Sequence, residues 1–253
     1  MVTPAPPGTQ TLARGLAVVR AVADGATDLR TLVERTGLGR STAHRLVQLL
    51  VRESYLRSGR DGYTLGPTLI ELGFQALHGN PLPVVARPVL EELSAQLSDT
   101  VHLAVRDGAS VLYLDKLPGS RGAEMRSRIG HRMPLTRTGV GMALLLDSPH
   151  EWPERYRADA PVAADRVRPE DLEGFLTRMR EYAASGVAMD LEDNEPGIRC
   201  VAVPVRDAAG AIAGAISVAA TRPYMPAARM RGLAGVVGRA AQRISAGLGH
   251  RAG

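Results

Sequence analysis

The chain has 253 residues, of which 45% are apolar, and it carries a formal net charge of +5. This length and apolar content suffice for a sizeable core in one or two domains. The sequence has no run of about 18 uncharged apolar residues, which excludes a membrane-spanning helix. Its single cysteine, Cys200, excludes an intramolecular disulfide and fits a reducing cytoplasm.

Three short helices are predicted near the start of the chain. Residues 1–9 have neither the basic nor the apolar region of a signal peptide, and we expect a disordered lead-in there. Apolar residues at helical spacing predict a first helix over 12–23. A second helix begins after an N-cap, Asp28, and ends at Gly37, which can adopt positive φ. The third helix starts near Arg40 and turns four apolar residues inward: Ala43, Leu46, Val47 and Leu50.

A hairpin is predicted after the third helix. Residues 55–57 and 63–65 read as short strands around a turn that contains Asp61-Gly62, a strong hairpin signal. The order describes a winged helix-turn-helix over residues 10–66, which is built to lay its third helix in the major groove of DNA. The side chains left to contact bases and phosphates are hydroxyls, amides, an imidazole and guanidiniums: Arg40, Ser41, Thr42, His44, Arg45, Gln48, Arg57 and Arg60.

The distribution of charge supports a DNA partner. Through Leu65 the chain has nine arginines against five acids, so almost the whole positive excess lies in this quarter. A small solvated domain, or a winged helix that binds protein, would also fit the fold pattern. Because phosphate neutralisation supplies most non-specific affinity for DNA, the localised charge favours double-stranded DNA over a protein partner.

A connector helix is predicted over residues 67–80, where Gly79-Asn80-Pro81 stops the helical pattern. Residues 81–250 then alternate between helical and strand patterns. Helices are predicted at 82–97, 172–186 and 227–248, and strands at 101–105, 111–114, 187–190, 198–205 and 211–219. Residues 120–141 read as irregular, followed by a short helix to Leu146, and 147–169 read as a loop with a helical piece at 154–156. Helices around a mostly antiparallel sheet make an α+β domain of the GAF or PAS type, a common small-molecule sensor.

The sequence resembles the IclR family of bacterial transcriptional regulators over nearly its whole length. Five stretches in the expected order carry the resemblance: RGLAVVRAVADG, GLGRSTAHRLVQLL, ARPVLEELSAQLSDTVHLAVRDGASVLYLDKL, RIGHRMPLTRTGVGMALL and NEPGIRCVAVPVRDAAGAIAGAISVAA. The resemblance implies a homodimer, often paired into a tetramer, that binds a palindromic operator near a promoter. It also implies that the second domain binds a small effector, an organic or aromatic acid, and that the chain needs no cofactor.

Candidate effector contacts follow from the resemblance and from the residues. Gly139 and Val140 stand just before a helix, where backbone amides attract carboxylates. At positions that match the family's pocket, Asp190, Cys200 and Ser217 are polar, whereas Met125, Met133 and Ile198 are apolar, and Ala219 stands where a hydroxyl is common. The same residues also fit plainer roles, the glycines in a tight turn and Cys200 and the methionines in the core.

Two departures from the family pattern affect the expected ligand. Many members have Gly-Lys-Ala where this chain has Gly141-Met142-Ala143, so a positive charge is absent beside the pocket loop. Ala219 also lacks the hydroxyl that smaller polar effectors use. Both changes favour a more apolar or larger ligand than an acid of two or three carbons.

An enzyme and a metal site are the rival interpretations of the second domain. Cys200 with a histidine and Asp190 supplies the residue types of a nucleophile, base and orienting acid, or of a zinc site. However, Cys200 stands within an apolar strand pattern and no CxxC or HxxxH spacing occurs. We therefore expect no catalytic residue and no metal.

Overall fold

The computed structural model describes residue 6 and residues 8–78, 81–120, 125–159 and 171–251. Most of the predicted lead-in, and the predicted loop from residue 160 on, lie outside these residues. The chain divides into two compact units, residues 1–79 and 80–253. Within the described part of the chain, no helix is long and apolar enough to cross a membrane.

The first unit has the predicted winged helix-turn-helix order. Its elements are α1 (Gln10–Ala23), α2 (Leu29–Thr36), α3 (Arg40–Arg52), β1 (Leu56–Gly59), β2 (Gly62–Leu65) and α4 (Pro67–His78). Local sequence sets the bounds of α2, because the Asp28 carboxylate accepts the N–H of Thr31 at 2.9 Å and Gly37 ends the helix with φ of 66°. The core of this unit joins α1, α2 and α3 to the hairpin through Val18, Leu32, Leu46, Val47 and Leu56.

The β1–β2 hairpin is fixed to the loop before α2. The N–H of Tyr63 donates to the carbonyl of Thr27 at 2.7 Å. Gly62, beside it, has φ of 95°, and a Cβ there would lie 2.1 Å from the Thr27 oxygen. Position 62 therefore requires glycine for two reasons, the positive φ and the close approach to Thr27.

The second unit is built on one six-stranded sheet. Its strands are β3 (Thr100–Asp107), β4 (Ser110–Leu117), β5 (Arg132–Pro134), β6 (Ala188–Leu191), β7 (Ile198–Arg206) and β8 (Ile212–Thr221). They lie in the order β5-β4-β3-β8-β7-β6, and each neighbouring pair is antiparallel. The helices are α5 (Pro81–Leu97), α6 (Gly139–Leu144), α7 (Trp152–Asp159), α8 (Leu172–Ser185) and α9 (Ala227–Gly247).

Helices cover both faces of the sheet. On β8, Ile216, Val218 and Ala220 belong to the core that contains α5 and α9, whereas Ala215 belongs to the core of α6 and α8. Since side chains alternate along a strand, Ser217 and Ala219 share the α6 face with Ala215. This alternation places polar strand residues under α6, and there the candidate site is formed.

Two predictions for the middle of the chain were wrong in detail. Residues 120–141 were expected to be irregular, but Arg132–Pro134 form β5 and pair with β4, and Leu135–Arg137 form a 3-10 turn. A strand of three residues is too short to show alternation. Helix α7 is longer than the expected piece because the buried Trp152, whose indole N–H donates to the Leu145 carbonyl at 2.8 Å, holds an otherwise polar segment.

Candidate functional site

Helix α3 presents a polar, cationic face. Ala43, Leu46 and Val47 are buried and Leu50 is half-buried, which confirms the predicted inward side. Five of the predicted contact residues on the helix are exposed and Thr42 is half-buried; the exposed residues are Arg40, Ser41, His44, Arg45 and Gln48.

The arginines of this face and of the hairpin have no ion-pair or side-chain hydrogen-bond partner among the described residues. Arg57, on β1, and Arg60, in the turn, are exposed like Arg40 and Arg45 on α3. Within the described residues none of these four guanidiniums makes an ion pair or a side-chain hydrogen bond, whereas Arg30 and Arg52 are paired with Glu34 and Glu53. Four free guanidiniums on adjoining elements are the donors that a phosphate backbone requires.

The second unit contains a small cavity of about 30 Å³ between α6 and the sheet. Eight of the nine predicted effector residues line it: Met125, Gly139, Val140, Asp190, Ile198, Cys200, Ser217 and Ala219. Met133 does not. It lies on β5 opposite Val111 and packs, half-buried, against the core of α6 and α8.

Six further residues line the same cavity and were not predicted: His102, Tyr113, Ser127, Thr138, Asn194 and Glu195. His102 had a usable signal, because it is the polar residue within the apolar strand VHLAV. The β3–β8 register sets it directly opposite Ser217. The residues outside the strands had no such signal, since loops bring them to the cavity from distant parts of the sequence.

His102 is held between two hydroxyls at the bottom of the cavity. It is 4% exposed, its Nε2 lies 2.8 Å from Oγ of Ser127, and its Nδ1 lies 3.4 Å from Oγ of Ser217. Burial, with the nearby Lys116 ammonium as a second cause, lowers the pKa of His102 to about 3. The imidazole is therefore neutral at physiological pH, with one nitrogen donating and the other accepting.

The start of α6 lies against β6 and β7. Asp190 and Cys200 are register partners on these strands, and a Cβ at Gly139 would lie 2.4 Å from Sγ of Cys200. Thr138 caps the helix by accepting the N–H of Gly141 at 3.1 Å. Only glycine at position 139 permits this approach, and so the two backbone amides predicted to contact an anion, those of Gly139 and Val140, lie at the cavity wall.

Asp190 connects the cavity to an ion pair on the neighbouring elements. Its Oδ1 accepts the N–H of Asp193 at 2.7 Å. The Asp193 carboxylate is held by both terminal nitrogens of Arg178, on α8, at 2.7 and 3.2 Å. Burial, followed by the charge of Asp193, raises the pKa of Asp190 well above its ordinary range.

The cavity chemistry fits binding better than catalysis. Burial raises the pKa of the Cys200 thiol, so the reactive thiolate is disfavoured. The described residues contain no group of three or more His, Cys, Asp or Glu side chains placed to hold a metal ion. A volume of about 30 Å³ suffices for ordered water, whereas ligand pockets commonly measure roughly 300–1,000 Å³. A ligand must therefore enlarge this cavity to enter it.

Comparison with known proteins gives two domain matches. Residues 11–60 match the IclR helix-turn-helix domain, and residues 74–246 match the C-terminal domain of bacterial transcriptional regulators of the IclR type. The HTH-type transcriptional regulator XynR of Escherichia coli K12 is 29% identical over 97% of this chain and 100% of its own length. The Pca regulon regulatory protein of Pseudomonas putida is 29% identical over 82% of this chain and 72% of its own.

Solved structures with the same fold include one with a bound acid. The crystal structure of an IclR homolog from Microbacterium hydrocarbonoxydans complexed with 4-hydroxybenzoate superposes with a TM-score of 0.80, at 25% identity. The match covers 94% of this chain and 98% of that one. The similarity therefore extends through both units.

Proposed function

Because the chain belongs to the IclR family and is a transcriptional regulator rather than an enzyme, we propose that it binds a palindromic operator as a dimer or tetramer. We also propose that a small organic or aromatic acid in the α6 cavity switches this binding. The free cationic face of α3 is the observation that carries the DNA part of the proposal. The polar cavity under α6 carries the effector part.

The proposed operator contacts are the α3 and hairpin residues. Arg40 and Arg45 have the guanidiniums that pair with guanine edges or phosphates, and Gln48 has an amide that can pair with adenine. Arg57 and Arg60 reach phosphates beside the groove. In a two-fold symmetric dimer, half-sites lie about 10 bp apart, or a multiple of that spacing.

Footprinting on the DNA upstream of the chain's own gene tests the operator. We expect two protected half-sites related by a dyad, with centres one or more helical turns apart. Protection should weaken steeply as salt rises, because bound arginines release counterions from the phosphates. Protection without a dyad, or no salt-dependent binding to any upstream fragment, contradicts the proposal.

The effector part assigns the cavity residues to one ligand. Gly139 and Val140 offer backbone amides, Asp190 and Ser217 offer side-chain hydrogen bonds, and the apolar wall includes Ile198. A homologous regulator is complexed with 4-hydroxybenzoate, which is an aromatic acid of the expected class. Entry of such a ligand enlarges the cavity, so that the sheet or the loop at Gly139 rearranges and the connector helix, α4, changes the spacing of paired recognition helices.

Substitutions in the cavity separate effector response from DNA binding. Asp190→Ala and Ser217→Ala should weaken the effect of the acid on operator binding while operator affinity without the acid stays within about twofold. Met133→Ala is a control, because Met133 does not line the cavity. Equal effector response in both cavity variants and the control contradicts the assignment.

A further inference from the structure

We propose that Asp190 acts in the effector cavity as a neutral carboxylic acid, which donates its proton in a hydrogen bond to a carboxylate of the ligand. Ligand affinity then falls as pH rises through the ionisation of Asp190. This inference rests on the proposed effector function, but not on the way in which α3 contacts DNA.

Asp190 is buried without a cation of its own. It is 5% exposed, and within the described residues its carboxylate meets only backbone donors, the N–H of Asp193 at 2.7 Å and that of Asn194, and forms no ion pair. Arg178 is the nearest compensating cation, but both its terminal nitrogens are engaged by the Asp193 carboxylate. A buried carboxylate with no cation of its own is costly, and such a group takes up a proton instead.

The groups facing Asp190 from other elements do not offset this cost. His102 on β3 is neutral, and burial keeps Cys200 on β7 and Tyr113 on β4 in their uncharged forms. From the loop after β6, the charge of Asp193 adds to the effect of burial, and the opposing effects of the Asp193 N–H, the Arg178 charge and the Asn194 N–H are each smaller. Helix α6 contributes only the backbone at Gly139 and Val140. The sum of these surroundings raises the pKa of Asp190.

The lining also determines how a carboxylate can be held. Among the described residues that line the cavity there is no Lys or Arg, and the side-chain donors are neutral groups such as Ser127, Ser217 and Asn194. A ligand carboxylate next to an ionised Asp190 would form a like-charge pair in a confined site, and two such carboxyls share one proton. At a pH below the pKa of Asp190, the ligand carboxylate accepts a hydrogen bond from the proton that Asp190 already carries. At a higher pH, binding of each ligand requires the uptake of one proton from solvent by this pair of carboxyls.

The protonation of Asp190 can be tested without a ligand. Infrared spectra of the free protein at pH 6 should contain the C=O stretch of a protonated carboxyl, and Asp190→Asn should remove it. Asp115→Asn is the matched control, because Asp115 is 8% exposed but paired with Arg87 at 3.1 Å. The band should persist in that variant. Absence of the band in the wild-type protein at pH 6, or its persistence in Asp190→Asn, overturns the proposal.

Ligand binding tests the donated hydrogen bond. The probes are 4-hydroxybenzoate and acetate, each compared by calorimetry with its amide, 4-hydroxybenzamide or acetamide, between pH 6 and 9. Acid affinity for the wild-type protein should fall by up to about tenfold per pH unit over the interval in which the infrared band disappears. In Asp190→Asn the amide N–H₂ replaces the donor, so acid affinity should be independent of pH.

Three results would overturn the proposal: binding of neither acid at pH 6, equal affinity for acid and amide, or unchanged acid affinity after the band is lost. The operator footprint of the wild-type protein without ligand is recorded separately, because it tests the proposed function and not the protonation of Asp190. If the affinity for the effector is independent of pH but the effector still changes operator binding, proton donation by Asp190 is refuted and the proposed function is not. Failure of the footprint itself refutes the proposed function.

Discussion

Gly139 shows how a single residue fixes the geometry of the cavity. A methyl group at this position would meet Sγ of Cys200 at 2.4 Å, so Gly139→Ala should destabilise the second unit by roughly 1–3 kcal/mol through overpacking. Denaturant unfolding measures the loss. Removing the sulfur with Cys200→Ala should relieve the overpacking. The double variant should therefore lose less stability than the sum of the losses in the two single variants.

Gly232→Ala is the control for that cycle. Gly232 lies in α9, and a Cβ there meets nothing within 4 Å. Replacing a helical glycine by alanine in open space should leave stability unchanged or raise it by up to about 1 kcal/mol. Equal losses for Gly139→Ala and Gly232→Ala, or additive effects of Gly139→Ala and Cys200→Ala, would show that the approach of α6 is not set by this contact.

His102 predicts a specific dependence of stability on pH. Its pKa of about 3 in the folded protein lies below the ordinary 6.5, so the unfolded chain binds the additional proton. The contribution of this residue to stability is present above pH 6.5 and is lost as pH falls from 6.5 towards 3, by up to about 1.4 kcal/mol per pH unit.

Replacing His102 by glutamine keeps a hydrogen-bonding side chain and removes the titration. Unfolding free energies measured between pH 7 and 4 should therefore fall less steeply for His102→Gln than for the wild-type protein. His150→Gln, at an exposed histidine, is the control and should retain the wild-type slope. Parallel slopes for all three proteins would contradict a neutral, buried His102.

The hairpin is held to the loop before α2 by the close approach of Gly62 and Tyr63 to Thr27. Gly62→Ala brings a methyl group to 2.1 Å from the Thr27 oxygen and places alanine at φ of 95°. The strained conformation alone costs roughly 1–2 kcal/mol, so the melting temperature of the first unit should fall. Operator affinity should also fall, because Arg57 and Arg60 move with the hairpin.

Gly59→Ala tests the same hairpin without that contact. Gly59 is the register partner of Gly62, and a Cβ there meets nothing within 4 Å. It should therefore leave both the melting temperature and operator affinity close to wild type. If Gly62→Ala binds the operator as tightly as Gly59→Ala does, the hairpin arginines make no contribution to affinity.

The elements differ in how far their own sequence determines them. Helix α2 could be predicted closely because Asp28 and Gly37 supply both of its ends locally. Helix α7 has no apolar stripe, and tertiary contacts hold both of its ends, Trp152 with the Leu145 carbonyl and Asp159 with Thr136. Strand β5 depends on pairing with β4, which also moves Met133 out of the predicted cavity wall.

The candidate site also divides into residues that local sequence patterns predict and residues that only tertiary structure places. Residues on predicted strands, such as Asp190 and Ser217, line one cavity with Gly139, the first residue of α6, because alternation and register place the strand residues under that helix. Ser127 and Asn194 reach it from loops, where sequence carries no periodicity. The raised pKa of Asp190 was equally beyond sequence, because it depends on burial in the folded protein and on the nearby charge of Asp193.

At the scale of the whole molecule, DNA recognition and ligand binding reside in different units. The first unit, residues 1–79, has nine arginines and six acids, whereas the described residues that line the α6 cavity of the second include no Lys or Arg. The arginines of the first unit match a polyanion, and the neutral donors of the cavity match the hydrogen bonds of a small acid. It also means that a substitution on α3 should alter operator binding without changing the cavity.

Operator affinity of Arg45→Ala tests the central claim most directly. Fluorescence anisotropy on the footprinted operator is measured for the wild-type protein, Arg45→Ala and Arg231→Ala, an exposed arginine of α9 that carries the same charge change. We predict that Arg45→Ala weakens specific binding by roughly 5- to 150-fold, the loss of one base contact worth about 1–3 kcal/mol. Arg231→Ala should bind as the wild-type protein does. Equal affinities for all three proteins would contradict recognition of DNA by α3.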